Sequence, residues 1–138
     1  MRRRIITVPE WPPTRIPYSP AVLVNDVLYV SGIVGQSSSG EIPDTAGEQM
    51  EMVLRMLKRV IEAAGGSLAD VTANTVYLKN TSDFSSMNAI YKSFFPNAFP
   101  ARCTVRADMM HAKILVELSS VAHLGSGQST DSKQENRT

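Results

Sequence analysis

Residues 99–118, FPARCTVRADMMHAKILVEL, hold two runs with β-branched character on either side of the segment MMHAK. Strands are predicted over 102–108 and 114–122. Arg102 and Glu117 stand in these runs, where valine or isoleucine would pack at lower cost. Joined through MMHAK, the two strands are expected to form a hairpin. A register with Arg102 opposite Ser119 and Glu117 opposite Thr104 puts both charges on one face, and a one-residue slip puts them on opposite faces. The pair then has two readings, an ion pair or a pair of groups facing a pocket. A buried ion pair is often no more stable than apolar packing, so stability alone is a poor reason to place one there. Facing a pocket, Arg102 offers a planar fork to a carboxylate, and Glu117 offers an acceptor that orients or deprotonates water.

Upstream, Phe84, Met87, Ile90 or Tyr91, and Phe94 recur at helical spacing, which predicts a helix from about residue 82 to 95, closed by Pro96. Asn88 is a mediocre helix former inside it, a hint of a side-chain hydrogen bond. VTANTVYLKN before it reads as a strand. The longer helix begins at Thr45, which has capping-box spacing to Glu48. Met50, Val53, Leu54, Leu57, Val60, Ile61 and Ala64 follow at helical period, and Gly65-Gly66 stops the run. AVLVNDVLYVSG is two apolar runs around Asn25-Asp26, a hairpin. RIITV at 4–8 is a short strand, and PEWPPTRIPYSP, with five prolines, is a stiffened loop. Tyr18 in that loop can line a pocket, and Ser31 and Gly32 sit at a strand end where a substrate can approach the backbone.

Two amphipathic helices and a mixed sheet make an α+β layer with both helices on one face. Leu28, Val30, Val76, Leu78, Val105 and Val116 supply more apolar surface than two helices hide on one side, so the other sheet face is expected to be uncovered and to drive self-association. Residues 1–124 are expected to form one domain. Residues 125–138 hold no aliphatic side chain and are expected to be disordered.

The 138 residues are 43% hydrophobic and 20% charged with a formal net charge of +1, enough for a core and no broad footprint for nucleic acid. Arg2, Arg3 and Arg4 read as a solvated edge. One cysteine, Cys103, excludes an internal disulfide and reads as core packing, on the strand face opposite Arg102. His111 and His123 lie far apart, so no metal site is expected. No apolar run reaches membrane-span length, and a cytoplasmic location is expected.

The motifs PYSPA, YVSG, GEIP, EAAGG, DFSSMNAIYKSFF and, above all, FPARCTV followed by ILVEL resemble the RidA/YjgF family of enamine/imine deaminases from about Tyr18 to Leu124. That resemblance implies a chorismate-mutase-like fold, a homotrimer with sites between subunits, and hydrolysis of 2-aminoacrylate and 2-iminopropionate without metal or organic cofactor. It implies that Arg102 grips the substrate carboxylate, that Glu117 positions water, and that Tyr18, Ser31, Gly32 and Asn88 shape the pocket. The chain departs from the family pattern at MMHAK, where members commonly carry an LPK-like turn, at Thr104, where many carry cysteine, and at Ile16, where a glycine is usual. These departures bear on substrate choice. The ending VELSSVAHLG also resembles pathway-specific members, so an aminoacrylate or aminomuconate-type substrate is an alternative. A non-catalytic trimer that binds small carboxylates is another, and RNA cleavage a third that the charge balance disfavours.

Overall fold

The computed structural model describes residues 2–128. In chain order the elements are β1 (Arg3–Ile6), β2 (Ala21–Val24), β3 (Val27–Val34), α1 (Ala46–Ala63), β4 (Val71–Leu78), α2 (Phe84–Phe94), β5 (Ala101–Arg106) and β6 (Val116–His123). Among the described residues no helix is long and apolar enough to cross a membrane. The strands form one mixed sheet in the order β1-β2-β3-β6-β4-β5, with the helices packed against it, an α+β architecture as expected.

Local chemistry accounts for the element ends. Thr45 accepts the Glu48 N–H at 3.2 Å and caps α1, and Gly65 takes φ +96° just beyond its end. Asn25, at φ 53°, turns β2 into β3. The buried stripe of α1 (Met50, Val53, Leu54, Leu57, Val60, Ile61) meets Leu28, Val30, Val76, Val116 and Leu118 from the sheet. Gln49 is fully buried among them. Its Nε2 donates to Pro43 O at 2.8 Å and Lys113 O at 2.9 Å, and its Oε1 accepts from Leu115 N–H at 2.8 Å. This one side chain ties the loops before α1 and before β6 to the helix.

The expected hairpin of the last two strands does not form. β5 runs parallel to β4, and β6 lies antiparallel between β3 and β4. The linker at 107–115 instead crosses the end of β4, where Ala107 N–H donates to Leu78 O and Lys79 N–H to Leu115 O. The parallel pair needs a crossover, and α2 supplies it. β6 buries Val116, Leu118, Ser120 and Ala122 against the helices and so takes a central place, leaving β5 as an exposed edge.

The expected apolar open face is corrected too. Leu28, Val30, Val76, Leu78 and Val116 all lie under the helices at 4% exposure or less, and of that set Val105 alone is exposed. The open face presents a mixed surface of Tyr29, Tyr77, Glu117, Ser119, Val121 and Cys103. Cys103 is exposed there and is not core packing. Self-association finds no argument in those five valines and leucines.

Residues 125–128, the start of the expected tail, form a turn held by Asp70. Gly127 N–H reaches Asp70 Oδ1 at 2.9 Å, and Ser67 N–H reaches Oδ2 at 3.0 Å. Burial pushes the Asp70 carboxyl up, but the N–H groups of Gly127, Ser67 and Gly125 outweigh it and hold it below the ordinary value. The rest of that tail lies outside the described residues.

Candidate active site

Glu117 points from β6 onto the open face, across from Tyr77 of β4 and beside the end of β3. A bulge there sets Ser31 and Gly32 together between the pairs Val30–Ser120 and Ile33–Leu118. It brings Gly32 so close to Glu117 that a Cβ at residue 32 would lie 3.0 Å from the carboxylate carbon and from Oε2. Glycine is what leaves the carboxylate room there. Half-buried in this corner, the Glu117 carboxyl is pushed up by loss of solvent.

Ser31 turns out to be a fastener. Its Oγ donates to Ser19 O at 2.6 Å and its N–H to Pro20 O at 2.9 Å, which pins the proline loop to the bulge. The loop sets Tyr18 on the rim, 40% exposed, where its hydroxyl accepts the Trp11 indole N–H at 3.1 Å. Between loop, bulge and α1 lies a cleft of about 220 Å³ lined by Trp11, Pro13, Tyr18, Gly32, Ile33 and Met56. A larger open groove of about 600 Å³ runs past Glu41, Glu48, His111 and Lys113 but is lined by none of the six predicted site residues. Tyr18 and Gly32 line the smaller cleft, which is the better candidate.

Arg102 occupies the other face. Asn74 stands opposite it in register and Tyr77 stands opposite Glu117. Three residues along β4 and two strand spacings put the two Cα atoms roughly 14 Å apart. Since Asn74 is buried under α2 and Glu117 faces away from the helices, the charges project to opposite sides. The one-face register, and with it an intrachain ion pair, is overturned. The guanidinium is nevertheless firmly set. Nη1 donates to Asn88 Oδ1 at 2.7 Å, and Cζ lies 4.7 Å from the Tyr91 ring centre and 5.9 Å from that of Phe84. Asn74 Nδ2 in turn donates to the Tyr91 hydroxyl at 2.9 Å. Burial raises the Tyr91 hydroxyl against the opposing pull of Asn74 and Arg102. Among the described residues no carboxylate pairs with Arg102.

Asn88 thus makes the hydrogen bond its poor helix propensity hinted at. Sequence reasoning missed Asn74, Phe84, Tyr91, Trp11 and Met56 as supports. For two of them a signal existed, because Phe84, Asn88 and Tyr91 fall at i, i+4 and i+7, a single helix stripe. The structure thus sets Gly32 against Glu117, puts Tyr18 and Gly32 on one cleft with Ser31 fastening its loop, and brings Asn88 and Arg102 together on the other face.

The chain is thus a small α+β domain with a carboxylate in a glycine-backed corner and, on the other sheet face, an arginine clamped by Asn88 and Tyr91. Residues 10–124 match the model of the endoribonuclease L-PSP family, and the chain belongs to that family, the RidA/YjgF proteins. It is 35% identical over 126 residues to the 3-aminoacrylate deaminase RutC of Acinetobacter baylyi, covering 90% of this chain and all of that protein. The crystal structure of RidA from an Antarctic Psychrobacter superposes with a TM-score of 0.83 at 31% identity, covering 88% of this chain and 99% of the other. That of Escherichia coli TdcF with bound serine gives 0.82 at 27% identity, over 87% and 98%.

Proposed function

We propose that the protein hydrolyses reactive enamines and imines of small 2-amino acids, of the 2-aminoacrylate and 2-iminopropionate type, to 2-oxo acids and ammonia. The working site forms between copies of the chain in a homotrimer, where the Arg102 half of one subunit meets the Glu117 half of the next. The observation that carries this reading is the fixed guanidinium. Asn88 and Tyr91 hold its fork flat and leave it without a carboxylate among the described residues, the state of an arginine that awaits an anionic ligand. The kinship with a deaminase of aminoacrylate gives the anion its chemistry.

The enamine first moves a proton to its terminal carbon and becomes the imine. Its carboxylate docks on Arg102. Glu117 takes a proton from water as the water oxygen adds to the C=N carbon and passes it to the nitrogen. It then takes the hydroxyl proton of the carbinolamine as the C–N bond breaks, and that proton leaves on the ammonia as the 2-oxo acid forms. Imines hydrolyse unaided, so positioning and one proton acceptor suffice, with about 10²–10⁴-fold from the acid–base part. A pure binding protein would need Arg102 but leave Glu117 idle, and a half-buried carboxyl that burial pushes up beside Gly32 supports a role as proton acceptor. The net charge of +1 gives RNA no electrostatic footprint.

Subunit mixing tests the reading. Arg102→Ala and Glu117→Ala should each abolish ammonia release from 2-iminopropionate generated in situ. Mixed one to one and allowed to exchange subunits, they should regain about a quarter of wild-type activity, because random assembly pairs intact halves in about a quarter of sites. Wild-type rates in either variant remove that residue from the mechanism, and no recovery on mixing removes the shared site.

A further inference from the structure

Gln49 has no place in the chemistry above, yet it lies one step beyond the residue pair that carries Glu117. That pair, Val34 with Glu117, is the last in the ladder between β3 and β6. The end of a ladder frays first unless the chain just beyond it is tied down. Resting on the function proposed here, we infer that Gln49 is a positioning residue of the reaction. It fixes both strands just outside the Val34–Glu117 pair and so sets where the Glu117 carboxylate stands against Gly32.

Both strands meet this one residue. Leu115 leads into β6, two positions before Glu117. Its N–H donates to Gln49 Oε1 at 2.8 Å, and its carbonyl accepts the Lys79 N–H at 3.0 Å. The entry to β6 is therefore held from α1 on one side and from the end of β4 on the other. On β3, Gly35 follows Val34 and packs against the backbone of Gln49. A Cβ at residue 35 would stand 2.7 Å from Gln49 Cα and 2.8 Å from the Gln49 carbonyl oxygen. Only glycine permits that approach. Helix α1 thus touches β3 and β6 through a single residue, at the end of the ladder the two strands share.

The residue type fits this task. Gln49 is fully buried in α1, as Met50 and Val53 are, where an amide is costly unless its bonds are made. Both Nε2 hydrogens are used, on Pro43 O at 2.8 Å and Lys113 O at 2.9 Å. Those two bonds already join the loops before α1 and before β6. The third, to Leu115, adds nothing to that joining but reaches the strand that bears Glu117. With the amide nitrogen committed to two carbonyls, the side chain cannot turn over, and the Leu115 N–H keeps a fixed acceptor. Loss of solvent is what pushes the Glu117 carboxyl up. The acid limb of a kcat/KM–pH profile therefore reports how closely its corner is packed.

The test follows ammonia release from 2-iminopropionate generated in situ, across pH, in two variants. Gln49→Met keeps the length of the side chain and removes all three bonds. Its acid limb should move down towards the ordinary glutamate range. Its kcat should fall about tenfold, the loss expected for a drift of about 0.5 Å at the reacting group. Its KM should stay within about twofold, because the substrate carboxylate docks on Arg102, which Asn88 and Tyr91 hold from α2. Burial favours the neutral acid in Gln49→Glu, which keeps an acceptor for the Leu115 N–H and a donor for one carbonyl. That variant should melt lower than wild type, yet hold the limb in place and kcat within about twofold. The position of a limb does not depend on the fraction of folded enzyme, so instability of either variant leaves it readable. An unmoved limb in Gln49→Met, with only the amplitude reduced, makes Gln49 a structural tie and overturns the inference alone. A limb displaced equally in both variants also overturns it, because the Leu115 bond would then not matter. No ammonia release by the wild-type protein overturns this inference and the deaminase reading together.

Discussion

Replacing Gly32 by alanine should slow the enzyme while leaving the fold intact or strengthening it. The added Cβ would stand 3.0 Å from the Glu117 carboxylate carbon and Oε2, and 3.3 Å from Oε1. Ordinary contact begins near 3.5 Å, so the carboxylate must retreat by about 0.5 Å. It can do so, because the group displaced is the end of a flexible, half-buried side chain. A misplacement of about 1 Å at a reacting group lowers rate by around 10²-fold, so half that distance predicts roughly a tenfold loss in kcat/KM. Gly32 does not use the left-handed region, and alanine there should add about 0.5–1 kcal/mol by restricting the unfolded chain. Ammonia release from in-situ 2-iminopropionate and a thermal melt, run on the same preparation, read both quantities. Full activity in Gly32→Ala would refute the placement of the Glu117 carboxylate at the reacting centre, and a collapse of the melt would refute the claim that only the side-chain end must move.

The acid limb of kcat/KM should lie above the ordinary glutamate range, because burial raises Glu117 and its working form is the carboxylate. Glu117→Gln should lack that limb and run about 10²–10⁴-fold slower in a pH–rate profile. A carboxyl with a raised folded pKa weakens folding above that pKa and ceases to do so below its unfolded value. Glu117→Gln should therefore melt higher than wild type at pH 7, with the gap closing near pH 4. Asp70 has the opposite sign. Its lowered folded pKa stabilises above the ordinary value of 3.8 and is lost as pH falls towards the folded one, so Asp70→Asn should flatten the stability–pH curve in that window. Gln49→Leu orphans two carbonyls and one N–H, and chemical denaturation should show a loss of about 3–5 kcal/mol. Arg102→Lys keeps the charge but loses the fork and the stack on Tyr91. It should raise KM by at least about tenfold with an unchanged circular dichroism spectrum.

What could be read ahead of the structure was local. The period of α1, its Thr45 cap, the Asn25 turn and the Pro96 stop each rest on a few neighbouring residues, and each held. Strand partners did not yield to the same reading. A parallel edge strand and one arm of a hairpin look alike in sequence, and nine residues between β5 and β6 suit either. That ambiguity reversed the relation of Arg102 to Glu117, because side-chain facing follows pairing. The apolar surface of Leu28, Val30, Val76, Leu78 and Val116 reads as more than two helices could hide, whereas all five are buried under them, since a one-residue alternation has no label for which side the helices choose. Site chemistry was legible where residue type conflicted with location, as with Arg102, Glu117 and Asn88. It was hidden where the type suited the location. Tyr91 and Trp11 pass for ordinary core residues until their polar ends are seen to hold Arg102's platform and Tyr18.

The central place of β6 bears on how the chain is made. During synthesis β1, β2 and β3 can pair among themselves, and β4, α2 and β5 form a second unit of their own. These two sheets share no ladder until the last strand emerges and fits between them. A ribosome-bound chain that ends before residue 116 therefore carries two further open sheet edges, those of β3 and β4, each a template for the wrong partner. The eight-residue strand β6 thus closes the sheet last, and it ties the arrival of Glu117 to the moment the two halves become one.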